Sequence, residues 1–132
     1  MSWNGVKKQA NIENIKAWCE EMGIENYSIN SKGEIDVDDD VILNGKDFKE
    51  LPYKFGKVGG YFGISGNLAL ISLKNCPNEI EGSFDIAMCS ILNSLEGCPK
   101  EVRRNFYCSK CKREFTKEYI TSLCKVNKDC IY

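Results

Sequence analysis

The stretch VGGYFGISGNLALISLKNCPNE (residues 58–79) is followed without a gap by IEGSFDIAMCSILNSLEGCPKE (80–101) and then by VRRNFYCSKCKREFT (102–116). The three segments superpose with a step of 22 residues. Val58 falls on Ile80 and Val102, Phe62 on Phe84 and Phe106, and Ile64 on Ile86 and Cys108. Leu70 matches Leu92, Ser72 matches Ser94, Leu73 matches Leu95, and Cys76-Pro77 matches Cys98-Pro99. Self-similarity at a fixed period of this length marks stacked repeats. A looser unit precedes them in VILNGKDFKELPYKFGK (41–57), where Val41 and Leu43 lie 21 residues before Phe62 and Ile64, and Phe48 and Leu51 lie 22 before Leu70 and Leu73. The odd residue fits in the turn between the two apolar clusters.

The spacing dictates the shape of one unit. Phe62-x-Ile64 is a period-two pair, so both side chains point to one face of a short strand. Asn67 follows as a turn residue, then Leu70 and Leu73, then a corner at Asn75-Cys76-Pro77, where Pro77 cannot continue a ladder. One such coil cannot bury its apolar side alone, but stacked coils share a continuous core beneath a parallel sheet. Residues 61–65, 83–87 and 105–109 are therefore expected as adjacent parallel strands, with Phe62, Phe84 and Phe106 buried and stacked at the strand spacing of about 4.8 Å.

These units resemble the leucine-rich repeat. Phe62, Ile64 and Asn67 occupy its Leu-x-Leu-x-x-Asn portion, as do Phe84, Ile86 and Cys89, then Phe106, Cys108 and Cys111. The nearer resemblance is to short repeat proteins of bacteria and their phages built on SLEGCPKEV-type units, with SLEGCPKEV at 94–102 and SLKNCPNEI at 72–80. It extends to NYSINSKGEIDVDDDVIL near the start and to NFYCSKCKREFTKEYITSLCKV near the end. The second and third units are a residue longer than the usual form, and asparagine survives in one unit only, which weakens the usual asparagine ladder. The resemblance implies an α/β solenoid fold and a phage or prophage origin, and it implies no activity.

Solenoid ends expose core and need covering. The 132 residues are expected to form a single domain, with an N-terminal cap over 1–40, repeat units over 41–115 and a C-terminal cap over 116–132. Val6, Ala10, Ile15, Trp18, Cys19 and Met22 recur at helical spacing, which predicts a helix over about 5–22 ending at Gly23. YSIN and EIDV flank Ser31-Lys32-Gly33 as a hairpin. Thr116 is placed to N-cap a helix running through Ile120, Leu123 and Cys124, and Cys130-Ile131-Tyr132 reads as a last strand.

Composition excludes several chemistries. Histidine is absent, so Ser-His-Asp and Cys-His nucleophile systems cannot be built from this chain alone. No run approaches 18 apolar residues and the start lacks a secretory signal, so a cytoplasmic protein with reduced cysteines and no membrane partner is expected. Charge is nearly balanced, with 18 Lys/Arg against 19 Asp/Glu, but unevenly spread. Residues 34–50 carry seven acids and two lysines, a sum of −5, whereas residues 100–132 carry nine bases and four acids, a sum of +5. Such runs are most often solvated faces.

Cys108, Cys111, Cys124 and Cys130 read alone invite a structural zinc site. The repeat gives another account, in which Cys108 takes a core column and Cys111 a turn column, where a small buried thiol packs well. On that account no metal and no cofactor are expected, and Cys108-Ser-Lys-Cys111 is not a thioredoxin-like motif.

With no catalytic constellation visible, the expected function is non-enzymatic protein binding. The sheet face exposes Tyr61, Gly63 and Ser65, then Ser83, Asp85 and Ala87, then Asn105, Tyr107 and Ser109. Tyr61 and Tyr107 are the natural anchors beside Asp85, although solvent-exposed tyrosines of no function would read the same. A phage protein of this kind would act by occupying a host protein, for instance as an inhibitor of a nuclease-based defence, with Asp36, Asp38, Asp39 and Asp40 engaging a basic channel. The alternative is nucleic-acid binding through Arg103, Arg104, Lys110, Lys112 and Arg113, interleaved with Phe106 and Tyr107.

Overall fold

Each 22-residue step brings the chain back over itself, and the columns become two sheets. The computed structural model describes residues 3–112 and 115–132. After helix α1 (Trp3–Glu21) come β1 (Tyr27–Ile29), β2 (Ile35–Val37), β3 (Val41–Ile42), β4 (Phe55–Val58), β5 (Phe62–Gly63), β6 (Glu79–Ile80), β7 (Phe84–Asp85), β8 (Glu101–Val102) and β9 (Phe106–Tyr107). Helix α2 (Lys117–Leu123), β10 (Lys125–Val126) and β11 (Cys130–Ile131) complete the chain. One sheet runs β1-β2-β4-β6-β8-β10 and the other β11-β9-β7-β5-β3. Apart from the antiparallel β1–β2 hairpin, the strand pairs are parallel. The fold is thus a parallel β-solenoid of about four turns with two helices.

The second sheet holds the Phe-x-Ile strands in the expected register. Phe62 pairs with Phe84 and Phe84 with Phe106, while Val41 pairs with Phe62, keeping the 21-residue offset of the first unit. The phenylalanines are fully buried, each worth roughly 1.5–3 kcal/mol against exposure. Their rings do not stack uniformly at the strand spacing. Phe62 and Phe84 lie 6.2 Å apart and nearly parallel, while Phe84 and Phe106 meet edge to face at 5.2 Å. The ring quadrupole disfavours a face-to-face sandwich, so the rings tilt.

The first sheet differs from expectation. Val58, Ile80 and Val102 open the units in the sequence, but in the structure they lie in strands of their own, one to a coil. The stack also runs past residues 41–115 at both ends. Ile35 and Val37 pair with Phe55 and Val58, and β10 and β11 add to β8 and β9 at a step of 24 rather than 22.

At the N-terminal end Trp18 packs its ring against Phe48, Tyr53 and Phe55, with centroids 5.6–6.2 Å apart. Among the described side chains of α1, Ile15 and Cys19 in its later part are buried, while Val6 and Ala10 of the apolar stripe are exposed. Gly23 (φ 72°) ends the helix, with the Ile24 N–H donating to the Cys19 carbonyl and the Gly23 N–H to that of Glu20. At the other end the Thr116 side chain accepts from the Tyr119 N–H and caps α2.

Two columns are dictated by backbone. Gly45, Gly66, Met88 and Lys110 recur in the turn after the Phe-x-Ile strand, and all have positive φ, from 59° to 66°. Glycine takes this conformation freely, whereas Met88 and Lys110 hold it at a cost of roughly 1–2 kcal/mol each. In the bend between the sheets, a Cβ at Gly82 would lie 2.6 Å from the Gly60 carbonyl carbon and 2.8 Å from the Tyr61 nitrogen, backbone that cannot yield.

These columns predict opposite outcomes. Met88→Gly is expected to stabilise the fold by about 0.5–1 kcal/mol, once the greater freedom of glycine in the unfolded chain is deducted. Gly82→Ala is expected to destabilise it by about 2–3 kcal/mol by forcing two coils apart. Denaturant unfolding of the three proteins checks both signs.

Candidate functional site

Along β5, β7 and β9 the side chains alternate in and out. The columns Tyr61, Ser83, Asn105 and Gly63, Asp85, Tyr107 fall on the outer face beside Ser65, Ala87 and Ser109. The structure brings Tyr61, Asp85 and Tyr107 together, since Asp85 pairs with Gly63 on one side and Tyr107 on the other.

The three do not project as separate anchors. A Cβ at Gly63 would lie 2.3 Å from the Tyr61 hydroxyl oxygen and 2.4 Å from a ring carbon, so the ring lies flat across Gly63, which is itself buried. From there the Tyr61 hydroxyl donates to Asp85 Oδ2 at 2.7 Å. The other carboxylate oxygen, Oδ1, accepts from the Ala87 N–H at 2.9 Å. Burial first, and then the Asp85 carboxylate, push the Tyr61 phenol up to about 12. The Tyr107 hydroxyl accepts from Asn105 Nδ2 at 3.1 Å, and Asn105 also accepts from the Asp129 N–H and donates its own N–H to Ser83 Oγ. All three target side chains are half-buried. Asn105 and Gly63 set their positions, and the sequence signal for both was their place in the repeat register.

The acidic run has a different local use. Asp36 Oδ1 accepts from the Lys57 N–H at 2.9 Å and Asp40 Oδ1 from the Tyr61 N–H at 2.8 Å, while Asn44 Oδ1 accepts from the Ser65 N–H at 2.9 Å. These acceptors are four residues apart and each reaches a donor 21 residues on, so they join the first coil to the second. Gly60 makes room for this, since a Cβ there would lie 2.1 Å from Asp40 Oδ1. Asp39 accepts from Asn26 Nδ2 and from the Asp40 N–H. Asp38 is exposed.

The chain matches no family model, and no curated protein or solved structure matches it.

The basic end keeps Arg103, Arg104, Lys110 and Lys112 exposed, but Phe106 is fully buried and leaves Tyr107 as the aromatic on that surface. Arg113 lies outside the described residues. No helix among the described residues is long and apolar enough to cross a membrane.

Five of the eight cysteines, Cys76, Cys89, Cys98, Cys108 and Cys111, follow the repeat columns. Cys108 takes the core position of Ile64 and Ile86. Cys89 and Cys111 take that of Asn67, and their thiols donate to the Ile64 and Ile86 carbonyls at 3.3 and 3.0 Å. Among the described residues no three His, Cys, Asp or Glu side chains are grouped to hold a metal ion. Burial pushes Cys19, Cys89 and Cys98 up to about 11 and Cys108 and Cys124 up to about 12.

A pH dependence follows. A thiol whose pKa rises on folding from 9.0 stabilises the fold fully below that value, and the contribution is lost as pH climbs towards the folded value. Stability should therefore hold steady from pH 7 to about 9 and fall between about 9 and 12. Urea midpoints measured across that range check this; a midpoint unchanged at pH 11 would show that these thiols are not held protonated by the fold.

Proposed function

We propose that this chain is a non-enzymatic protein-binding module, a leucine-rich-repeat-like solenoid whose α1 and β-hairpin cap one end and whose α2 caps the other. Its partner is engaged through the outer face of the second sheet. The observation that carries this reading is the single patch formed by Tyr61, Asp85 and Tyr107 on adjacent strands, already ordered by the Tyr61–Asp85 bond. Two half-buried tyrosines with their rings held in place offer contact area at small entropic cost on binding. The absence of histidine and of a phosphate-cradling glycine motif favours binding over catalysis. A phage-encoded inhibitor of a host defence protein, such as a nuclease, is the concrete form this takes, and the resemblance to phage repeat proteins supports it.

The test begins with affinity capture from a bacterial lysate, identification of the bound protein by mass spectrometry, and measurement of its affinity. Tyr61→Ala and Tyr107→Ala should each weaken binding by about thirtyfold, equivalent to about 2 kcal/mol, without unfolding the chain. Asp38→Lys tests the acidic end separately. Affinity that survives both tyrosine changes but collapses on charge reversal would move the site to the first bend.

A further inference from the structure

Of the outward positions along 61–65, 83–87 and 105–109, only Asp85 carries a charge. It has no cation of its own. The ion pairs among the described residues join Lys57 and Arg103 to Glu81, and Arg103 and Lys125 to Glu101. In the ladder Asp85 lies between Gly63 and Tyr107, and the Tyr61 ring lies across Gly63. An aromatic side chain thus stands over each neighbouring strand, one strand spacing of about 4.8 Å away.

The carboxylate is held in place but not saturated. An ionised carboxylate offers about four lone-pair sites over its two oxygens. Oδ2 uses one on the Tyr61 hydroxyl at 2.7 Å and Oδ1 uses one on the Ala87 N–H at 2.9 Å. One site therefore remains on each oxygen. The Tyr61 phenol, pushed up to about 12 by burial and by Asp85, stays a neutral donor at pH 7, so the charge at this place belongs to the carboxylate. With Gly63 beneath one face of the Tyr61 ring, its other face is turned outward.

We propose that the side chain this face receives from its partner is an arginine, seated on Asp85 between Tyr61 and Tyr107. The proposal rests on the reading of this face as the protein-binding surface and names what occupies it. A guanidinium is a cation whose parallel N–H donors meet both oxygens of a carboxylate, which matches the one free site on each. It is also flat and weakly hydrated, so it stacks on a tyrosine ring while it pairs with the acid. A lysine ammonium is a strongly hydrated point charge and lacks that fork. A neutral side chain in the same place would exclude water from Asp85 and leave its charge unpaired, which is costly.

The probe is N-acetylarginine methylamide, titrated into the full chain at constant ionic strength while the backbone amides are followed by NMR. The Ala87 N–H reports directly, because it donates to Asp85 Oδ1. Saturable shifts are expected at Ala87 and Tyr107. The citrulline analogue, of the same shape but neutral, should bind at least about tenfold more weakly, and the lysine analogue should also bind more weakly than arginine. Asp85→Asn keeps an oxygen for the Tyr61 hydroxyl and removes the charge, and it should weaken the arginine probe by at least about tenfold. Unchanged amide shifts away from the patch verify that the variant is folded, and the citrulline comparison needs no variant. Shifts that spare Ala87, citrulline or lysine binding as tightly as arginine, or a folded Asp85→Asn chain that binds arginine as before would each overturn the proposal. None of these results bears on the protein-binding reading itself, which fails instead if a captured partner is indifferent to Tyr61→Ala and Tyr107→Ala.

Discussion

The backbone hydrogen bonds of a two-residue strand cannot be satisfied within its own coil, and this constraint organises the rest of the molecule. The N–H groups of Phe62, Ile64 and Gly66 go to the carbonyls of Ser83, Asp85 and Ala87 one level on, and those of Phe84, Ile86 and Met88 go to Asn105, Tyr107 and Ser109. Each coil is therefore held by its neighbour, and the neighbour must present the same backbone path at the same height. A side chain that disturbs the path at one level disturbs the next. That is why the left-handed turn recurs in four successive coils even where Met88 and Lys110, rather than glycine, must adopt it.

Where backbone pairing lapses, polar side chains take over. Asn67 is fully buried, accepts from the Lys46 and Phe48 N–H groups and donates to the Leu43 and Ile64 carbonyls, so all its hydrogen-bonding capacity is used. In the next two coils Cys89 and Cys111 occupy that position and make one bond each to the level before. A thiol donates weakly and offers little in return, but it is small and apolar enough to be buried without a full set of partners. The asparagine ladder is thus reduced to its essential bond, from turn to preceding coil, as the core passes from the first levels to the last.

The Phe-x-Ile columns were legible because two apolar residues at period two, repeated at a fixed step, leave a pattern that no helix would give. The first sheet was not, because strands such as Glu79–Ile80 and Glu101–Val102 contribute one buried residue each and show no alternation. Likewise the last coil was concealed by its 24-residue step, since α2 lengthens the third side and shifts Val126 and Cys130 out of column. The membership of the outer patch followed from strand alternation alone. Its internal geometry did not, because the path of the Tyr61 ring depends on the missing Cβ of Gly63 and on a carboxylate 24 residues away.

The same dependence explains why the acidic run looked like a free surface. Read along the chain, Asp36 to Asp40 is a block of like charge, which ordinarily means solvent. Read across the coils, Asp36, Asp40 and Asn44 are a row of acceptors at a spacing that meets the donors of Lys57, Tyr61 and Ser65. Hydrogen bonds from N–H groups to a carboxylate are charge-assisted and stronger than neutral ones. The first coil, which has no earlier coil to rest on, is therefore fixed to the second by its acids as well as by its strands. Asp40 in particular holds the N–H of Tyr61, whose ring forms part of the outer patch, so the end of the stack and its face share one support. The charge left over at that end is concentrated where the chain bends from one sheet to the other.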